Sequence, residues 1–392
     1  MSPPPRLLIP ALSASNFLIG VGAFVIVGLV EPMGDDLGLR PAQAGALLTV
    51  YAIGYAVLSP LLVALTGRIG RRKVMGLGLS LFGLAALWSA LAPGLNGLQG
   101  ARVLAAAGAG LFTPVAAAVA AGLYPEAQRA RVLAAVFFGL TLAQVVGVPA
   151  GSWIAYTFGW RWAFWITVVL ALPCLALVWT IVPRGLSFQP VSLADLGTSL
   201  ADARMMLAVL FTSSFLGAIY VLYTFIAPLL SATMGFGRDG VTLILALFGS
   251  GAVAGNILGG ILADRFGWRA TLSVLAALQA LIMPLFSLLP LPIPALYAIA
   301  IAWAVFGWSF MAGQQMRLIG LAGPRAPVVL ALNAAAIYIG AALGSGLGAW
   351  VLESYGVIWT GLAAGLCALG ALVHLQISAA MPPRAPVPRP AE

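Results

Sequence analysis

Leu65-Thr66-Gly67-Arg68-Ile69-Gly70-Arg71-Arg72-Lys73 and Gly260-Ile261-Leu262-Ala263-Asp264-Arg265-Phe266-Gly267-Trp268-Arg269 are two versions of one short basic loop, 197 residues apart. Each follows a long apolar run and precedes another. One such loop would mark only where a chain leaves a membrane. Two in register mark an internal duplication, and the rest of the sequence is read outward from them.

The solvent follows from composition. Of 392 residues 62% are hydrophobic and only 7% charged, with a mean hydropathy of +1.07. A soluble domain carries about 25% charged residues, so this chain cannot cover a water-facing surface and belongs in a bilayer. The 46 glycines show no three-residue period, which excludes collagen. A net charge of +9 would suggest nucleic acid in a soluble protein, but here basic residues punctuate apolar runs singly and no nucleic-acid groove is expected. Cys174 and Cys367 each sit inside an apolar run, so no disulfide framework or metal site is available. The apolar stretch after Met1-Ser2-Pro3-Pro4-Pro5-Arg6 is too long for a signal-peptide core and is read as the first span.

A span needs about 20 apolar residues. That window predicts helices near 8–30, 43–65, 74–91, 98–120, 132–156 and 162–182, then near 206–229, 241–263, 270–289, 293–316, 328–352 and 357–375. Strands are excluded by the length of the runs. The expected fold is all-α: twelve transmembrane helices in two six-helix bundles, residues 1–182 and 205–380. A cytoplasmic linker (183–204) joins them, and a proline-rich, disordered tail follows (381–392). With both termini cytoplasmic, 15 of the 19 Lys and Arg fall inside, and only Arg40, Arg161 and Arg238 fall outside. The positive-inside rule predicts that asymmetry. Trp88, Trp153, Trp160, Trp162, Trp350 and Trp359 fall near outer ends, as an aromatic belt would.

The duplicated loop, read as G-x-L-a-D-R-x-G-R-R/K, resembles the signature of the major facilitator superfamily. Arg102 in span 4, followed by Gly108 and Gly110, resembles that superfamily's arginine motif. Gly147-Val148-Pro149-Ala150-Gly151 in span 5 resembles the G-x-P-x-G motif of its drug:proton antiporter branch. Gly28-Leu29-Val30-Glu31-Pro32 and Phe158-Gly159-Trp160-Arg161-Trp162-Ala163-Phe164-Trp165 are similar to sugar-efflux and arabinose-efflux-like members. The resemblance implies a conformational latch at Gly67, Arg68, Gly70, Arg71 and Arg72 and at Asp264, Arg265, Gly267 and Arg269. It implies a proton-relay role for Arg102. Two departures stand out: Gly67 occupies the place of the latch aspartate, and Gly22-Ala23-Phe24 replaces the T-E-F of many efflux relatives.

A proton-coupled carrier needs a titratable group whose proton affinity burial and a nearby cation can move. No Asp or Glu lies at mid-span, which leaves Glu31, at the outer end of span 1, as the candidate beside Arg102. The alternative for Glu31 is a solvated helix-end carboxylate. For the solute, polar and aromatic groups at mid-membrane depth are candidates: Asn16, Thr141, Gln144, Tyr220, Tyr223, Thr224, Asn256, Trp303, Trp308, Gln314, Asn333 and Tyr338. Each alone is equally a packing or interhelical hydrogen-bonding residue. Small-residue stripes at 147/151, 251/255/259 and 340/344/348 suit close helix approach, either between the bundles or within one.

The expectation is a secondary active efflux transporter of the bacterial inner membrane. It would act as a monomer and export a small, neutral or weakly charged solute by alternating access, with protons and membrane lipids as its other partners. No cofactor is expected, the proton gradient supplying the energy. An uncoupled facilitator or an importer is the alternative. A membrane enzyme or sensor is the remote one: the chain has no H-E-x-x-H, no G-x-S-x-G, one histidine (His374) and no soluble domain.

Overall fold

A computed structural model describes residues 5–186, 197, 200–323 and 326–381, excepting the side chains of 126, 127, 129, 130 and 327. The proline-rich tail beyond Met381 and most of the expected linker lie outside these residues. All the regular structure described is helical. Helices α1 (Leu8–Phe24), α2 (Ile26–Leu37), α3 (Pro41–Leu65), α4 (Arg71–Leu91), α5 (Leu95–Leu123), α6 (Glu126–Leu142), α7 (Val148–Phe158) and α8 (Arg161–Ile181) form the N-terminal half. The C-terminal half holds α9 (Ala203–Tyr223), α10 (Ile226–Met234), α11 (Arg238–Ile282), α12 (Ile293–Trp308), α13 (Phe310–Ala322), α14 (Ala326–Tyr355) and α15 (Thr360–Ala380).

Ten helical segments are long and apolar enough to cross a membrane, and the bent pair α1–α2 makes an eleventh. The chain is a multi-pass membrane protein. One of the ten, Arg238–Leu288, is 51 residues long and breaks at Gly267, whose φ of 73° and ψ of 163° leave the helical region. L residues with a Cβ rarely adopt a positive φ, so glycine permits the turn there. In the other copy of the loop, Gly70 has an ordinary φ of −55° and precedes α4. Only the second loop therefore requires glycine for its backbone.

Several spans are broken rather than straight. The first bends by 43° around Val25. In the fifth a π-helical turn, Ala143–Gly147, leads into α7, just where Pro149 lacks the N–H that a regular helix would use. Of the spans predicted from sequence, the seventh breaks at Thr224–Phe225 and the tenth at Ser309. Such breaks free backbone carbonyls inside the membrane, and neighbouring side chains must take them up. At the tenth-span break the Ser309 hydroxyl donates to the carbonyls of Gly255 in the neighbouring helix (2.9 Å) and of Val305 (2.7 Å).

The two ends of the molecule differ in charge. Arg68, Arg71, Arg72, Lys73, Arg265, Arg269 and Arg317 gather at one, here the basic face. Asp35, Asp36, Asp239 and Glu353, with Arg40, Arg161 and Arg238, gather at the other, the acidic face. Trp88, Trp153, Trp162, Trp350 and Trp359 are exposed as belt residues should be. Trp160 departs from that expectation: it is 1% exposed, because its Nε1–H donates to Asp36 at 2.9 Å and its ring packs on Phe164.

Candidate functional site

Near the middle of the membrane the two halves meet through rings. Tyr338 of α14 stacks on Tyr55 of α3 with centroids 3.9 Å apart, and lies 6.1 Å from Tyr51 and 6.5 Å from Phe24. Phe24 also stacks on Tyr220 of α9 at 6.3 Å. The layer continues through Tyr223, Phe248 and Trp303 to Phe286. Of the sequence candidates this layer joins Tyr220, Tyr223, Trp303 and Tyr338. It adds Phe24, Tyr51 and Tyr55, which sequence reasoning missed. Tyr51 and Tyr55 are four residues apart, one face of a helix, and that spacing was the available signal.

Arg102 lies beside this layer and is 2% exposed. Its Nη1 donates to the Gly22 carbonyl at 2.6 Å, just before the bend of the first span, and its guanidinium lies 5.1 Å from the centre of the Phe164 ring. Arg102 thus takes up a carbonyl of the helix in which Ala23 replaces the usual glutamate. Its Nε has no partner, and neither have the Tyr51 and Tyr223 hydroxyls, the Trp303 and Trp308 Nε1 and the Gln144 Oε1.

Other sequence candidates are already engaged by neighbouring helices. Asn16 donates to the Val136 carbonyl at 3.0 Å and accepts from Thr113 at 3.1 Å. In the C-terminal half, Thr212 donates to Asn333 at 2.5 Å, while Gln314 donates to Thr212 at 3.0 Å and to the Ala208 carbonyl at 2.8 Å. The two clusters are copies: each ties the first span of its half to the fourth and fifth. Thr224 donates to the carbonyl of Tyr220. Thr141 and Asn256 are half-buried and stand apart from the rings. A cleft of about 380 Å³ at the basic-face ends of α1, α5 and α6, lined by Ile9, Tyr124, Gln128 and Arg131, lies away from the layer.

Toward the acidic face the halves are pinned together. Glu31 accepts from Tyr156 of its own half and from Ser231 of the other, each at 2.5 Å. Arg40 pairs with Glu353 at 2.8 Å, Thr49 bonds Ser345 at 2.5 Å, and Arg238 reaches Thr157 at 3.4 Å. Gly45 packs on Phe225, and Gly249 on the backbone of Gln144 and Val145. The long glycine stripes behave otherwise. Gly251, Gly255 and Gly259 face α12 and Ser309, and Gly340 and Gly344 face α9, in each case within one half. Gly147 and Gly151 press on Val21 and Val25 of the bent first span.

At the basic face the two loop copies are built differently. Arg71 is buried and its backbone N–H donates to the Leu186 carbonyl at 3.1 Å. Arg72 lies over the Trp179 ring at 5.0 Å; Arg68 is exposed. In the second copy Asp264 and Arg265 are exposed, and Arg269 donates to Gln376.

The family model described as "Major Facilitator Superfamily" matches residues 12–326. The chain belongs to the major facilitator superfamily. It is 31% identical over 369 residues to the uncharacterized MFS-type transporter YtbD of Bacillus subtilis (strain 168), covering 93% of each chain. It is 31% identical over 352 residues, 88% of each, to the inner membrane transport protein YdhP of Escherichia coli (strain K12). A chloramphenicol resistance protein of Streptomyces lividans is 34% identical over 263 residues, 65% of this chain and 66% of its own. Among solved structures a D-xylose-proton symporter superposes with a TM-score of 0.71 at 18% identity, covering 94% of this chain and 96% of its own. That likeness concerns the fold. Major facilitator proteins are transporters rather than enzymes and work without a resident cofactor.

Proposed function

We propose that the chain is a proton-coupled exporter of a small, neutral or weakly charged, partly aromatic solute, working by alternating access. Counting the bent pair α1–α2 as one span and the segment 238–288 as two, parted at Gly267, this reading takes twelve spans, with the basic face and both termini on the cytoplasmic side of a bacterial inner membrane by the positive-inside rule. One observation carries the reading: rings from both halves meet at mid-membrane beside a buried arginine, at the repeat interface where such carriers bind solute. The efflux direction draws on the chloramphenicol resistance protein among the relatives. The solute enters from the basic side by parting Tyr55 from Tyr338.

Glu31 is the coupling group in this reading. As a carboxylate it accepts from Tyr156 and Ser231 together and holds the outer face shut. A proton arriving from outside removes the charge that strengthens both bonds, and the face opens; once the basic side opens in turn, the proton leaves toward the cytoplasm and the Glu31 carboxylate closes the clamp again. Arg102 holds the first span at Gly22, two residues before the Phe24 ring and nine before Glu31. The loops at 67–72 and 264–269 are proposed to latch the basic face when it closes. The uncoupled alternative draws on one fact: Ala23 stands where many efflux relatives carry a glutamate.

Proteoliposomes holding a pH dye test this, challenged with sugars, nucleosides, amphenicols and lipophilic cations. Solute-triggered proton movement that disappears in Glu31→Gln is expected. Labelled solute that crosses while the dye stays silent would contradict the coupling.

A further inference from the structure

The charge around the mid-membrane layer is one-sided. Arg102 is buried and its Nε lacks a partner, and the three ion pairs among the described residues all lie elsewhere. Among the described residues the acidic side chains are at the faces: Glu31, Asp35, Asp36, Asp239 and Glu353 at one, Asp202 and Asp264 at the other. Glu31, on the same span as the carbonyl that Arg102 holds, is nine residues beyond Gly22, about 13 Å along a helix. The Tyr51 hydroxyl is fully buried, lacks a partner and lies near enough to Arg102 for the two to interact electrostatically. Around Arg102 the layer therefore offers an unbalanced positive charge, the unused donors of the Arg102 Nε and the Tyr51 hydroxyl, and the faces of Tyr55, Tyr338, Phe24 and Tyr220.

We infer that this site takes aromatic solutes bearing an anionic or strong acceptor group and rejects organic cations of the same shape, an inference that rests on the transport reading above. Flat rings stack between the tyrosines, and the acceptor group receives the Arg102 Nε–H and the Tyr51 hydroxyl. Tyrosine faces attract cations weakly, but at an effective dielectric constant near 20 a fixed positive charge disfavours a cation roughly 50-fold at a separation of about 7 Å. Repulsion by Arg102 outweighs the attraction of the rings.

The test is calorimetric titration of the full-length protein in nanodiscs with biphenyl-4-carboxylate, biphenyl-4-carboxamide and biphenyl-4-yl-trimethylammonium. The carboxylate and amide are expected to bind and the ammonium to bind at least tenfold more weakly. Arg102→Gln should abolish the preference for carboxylate over ammonium. Tyr51→Phe, which removes only a hydroxyl, should weaken the carboxylate three- to tenfold and leave the ammonium unchanged; it carries the test if the arginine variant does not fold. Equal or tighter binding of the ammonium overturns the inference. So does the failure of all three to bind a protein that transports other solutes in proteoliposomes. Selective binding of the carboxylate by a protein that transports nothing would uphold the charge rule and sink the transport reading instead.

Discussion

At the scale of single residues, Glu31 and the interhelical amides make opposite predictions. Glu31→Gln keeps the shape of the clamp but removes its charge, and a charge-assisted hydrogen bond contributes about 1.5–3 kcal/mol. Solute-driven proton uptake should fall at least roughly tenfold, and dye-loaded proteoliposomes would measure it. Undiminished uptake would remove Glu31 from the coupling. Thr212→Val strips Asn333 and Gln314 of a shared partner. Interhelical hydrogen bonds in membranes average about 0.6 kcal/mol and reach about 1.7. Thermal unfolding in detergent should show a loss of that size, with solute affinity unchanged. A changed affinity with unchanged stability would put Thr212 in the solute site. Residue types could not separate these roles. An Asn or Gln in a membrane helix looks the same in sequence whether it bonds a solute or the next helix, and only packing shows that Asn16 already bonds Val136 and Thr113. Glu31 was legible as one of few acids near a span. Its partner Ser231 lies 200 residues away, and no local pattern points to it.

At the scale of helices, the closing contacts are made by single glycines and not by the stripes. A Cβ on Gly249 would stand 2.5 Å from the Val145 Cα and 2.6 Å from the Gln144 carbonyl oxygen, and backbone cannot swing away as a side chain can. Gly249→Val should therefore drive α11 from the π-helical turn that leads into α7 and shift the protein toward the state open at the acidic face. Faster reaction of a cysteine introduced on that face with a membrane-impermeant reagent would show it; an unchanged rate would contradict the packing argument. The stripes misled because a small-xxx-small pattern reports close approach but not the identity of the partner. Gly340 and Gly344 meet α9 of their own half. The broken spans were only partly legible. Pro149 is a visible signal for the fifth, whereas the bend at Val25 carries no proline or glycine at the break, and the arginine that holds it lies in another span.

For the whole molecule, sequence alone supplied the all-helical, multi-pass membrane fold because the physics is coarse: a bilayer demands about 20 apolar residues per helix, and the basic loops at 68–73 and 265–269 recur in register. What sequence could not supply is which face is shut. The cross-half bonds Glu31–Ser231, Arg40–Glu353, Thr49–Ser345 and Arg238–Thr157 lie between mid-membrane and the acidic face, so opening that face requires all four to break together. Alternating access is the central claim, and two pairs of spin labels test it most directly. One pair, at Asp35 and Tyr355, spans the halves on the acidic face; the other, at Ile69 and Phe266, spans them on the basic face. All four positions are exposed. Addition of a transported solute should lengthen the first distance and shorten the second in the same population. Distances that stay fixed, or change in the same direction, while solute is being transported would contradict the account.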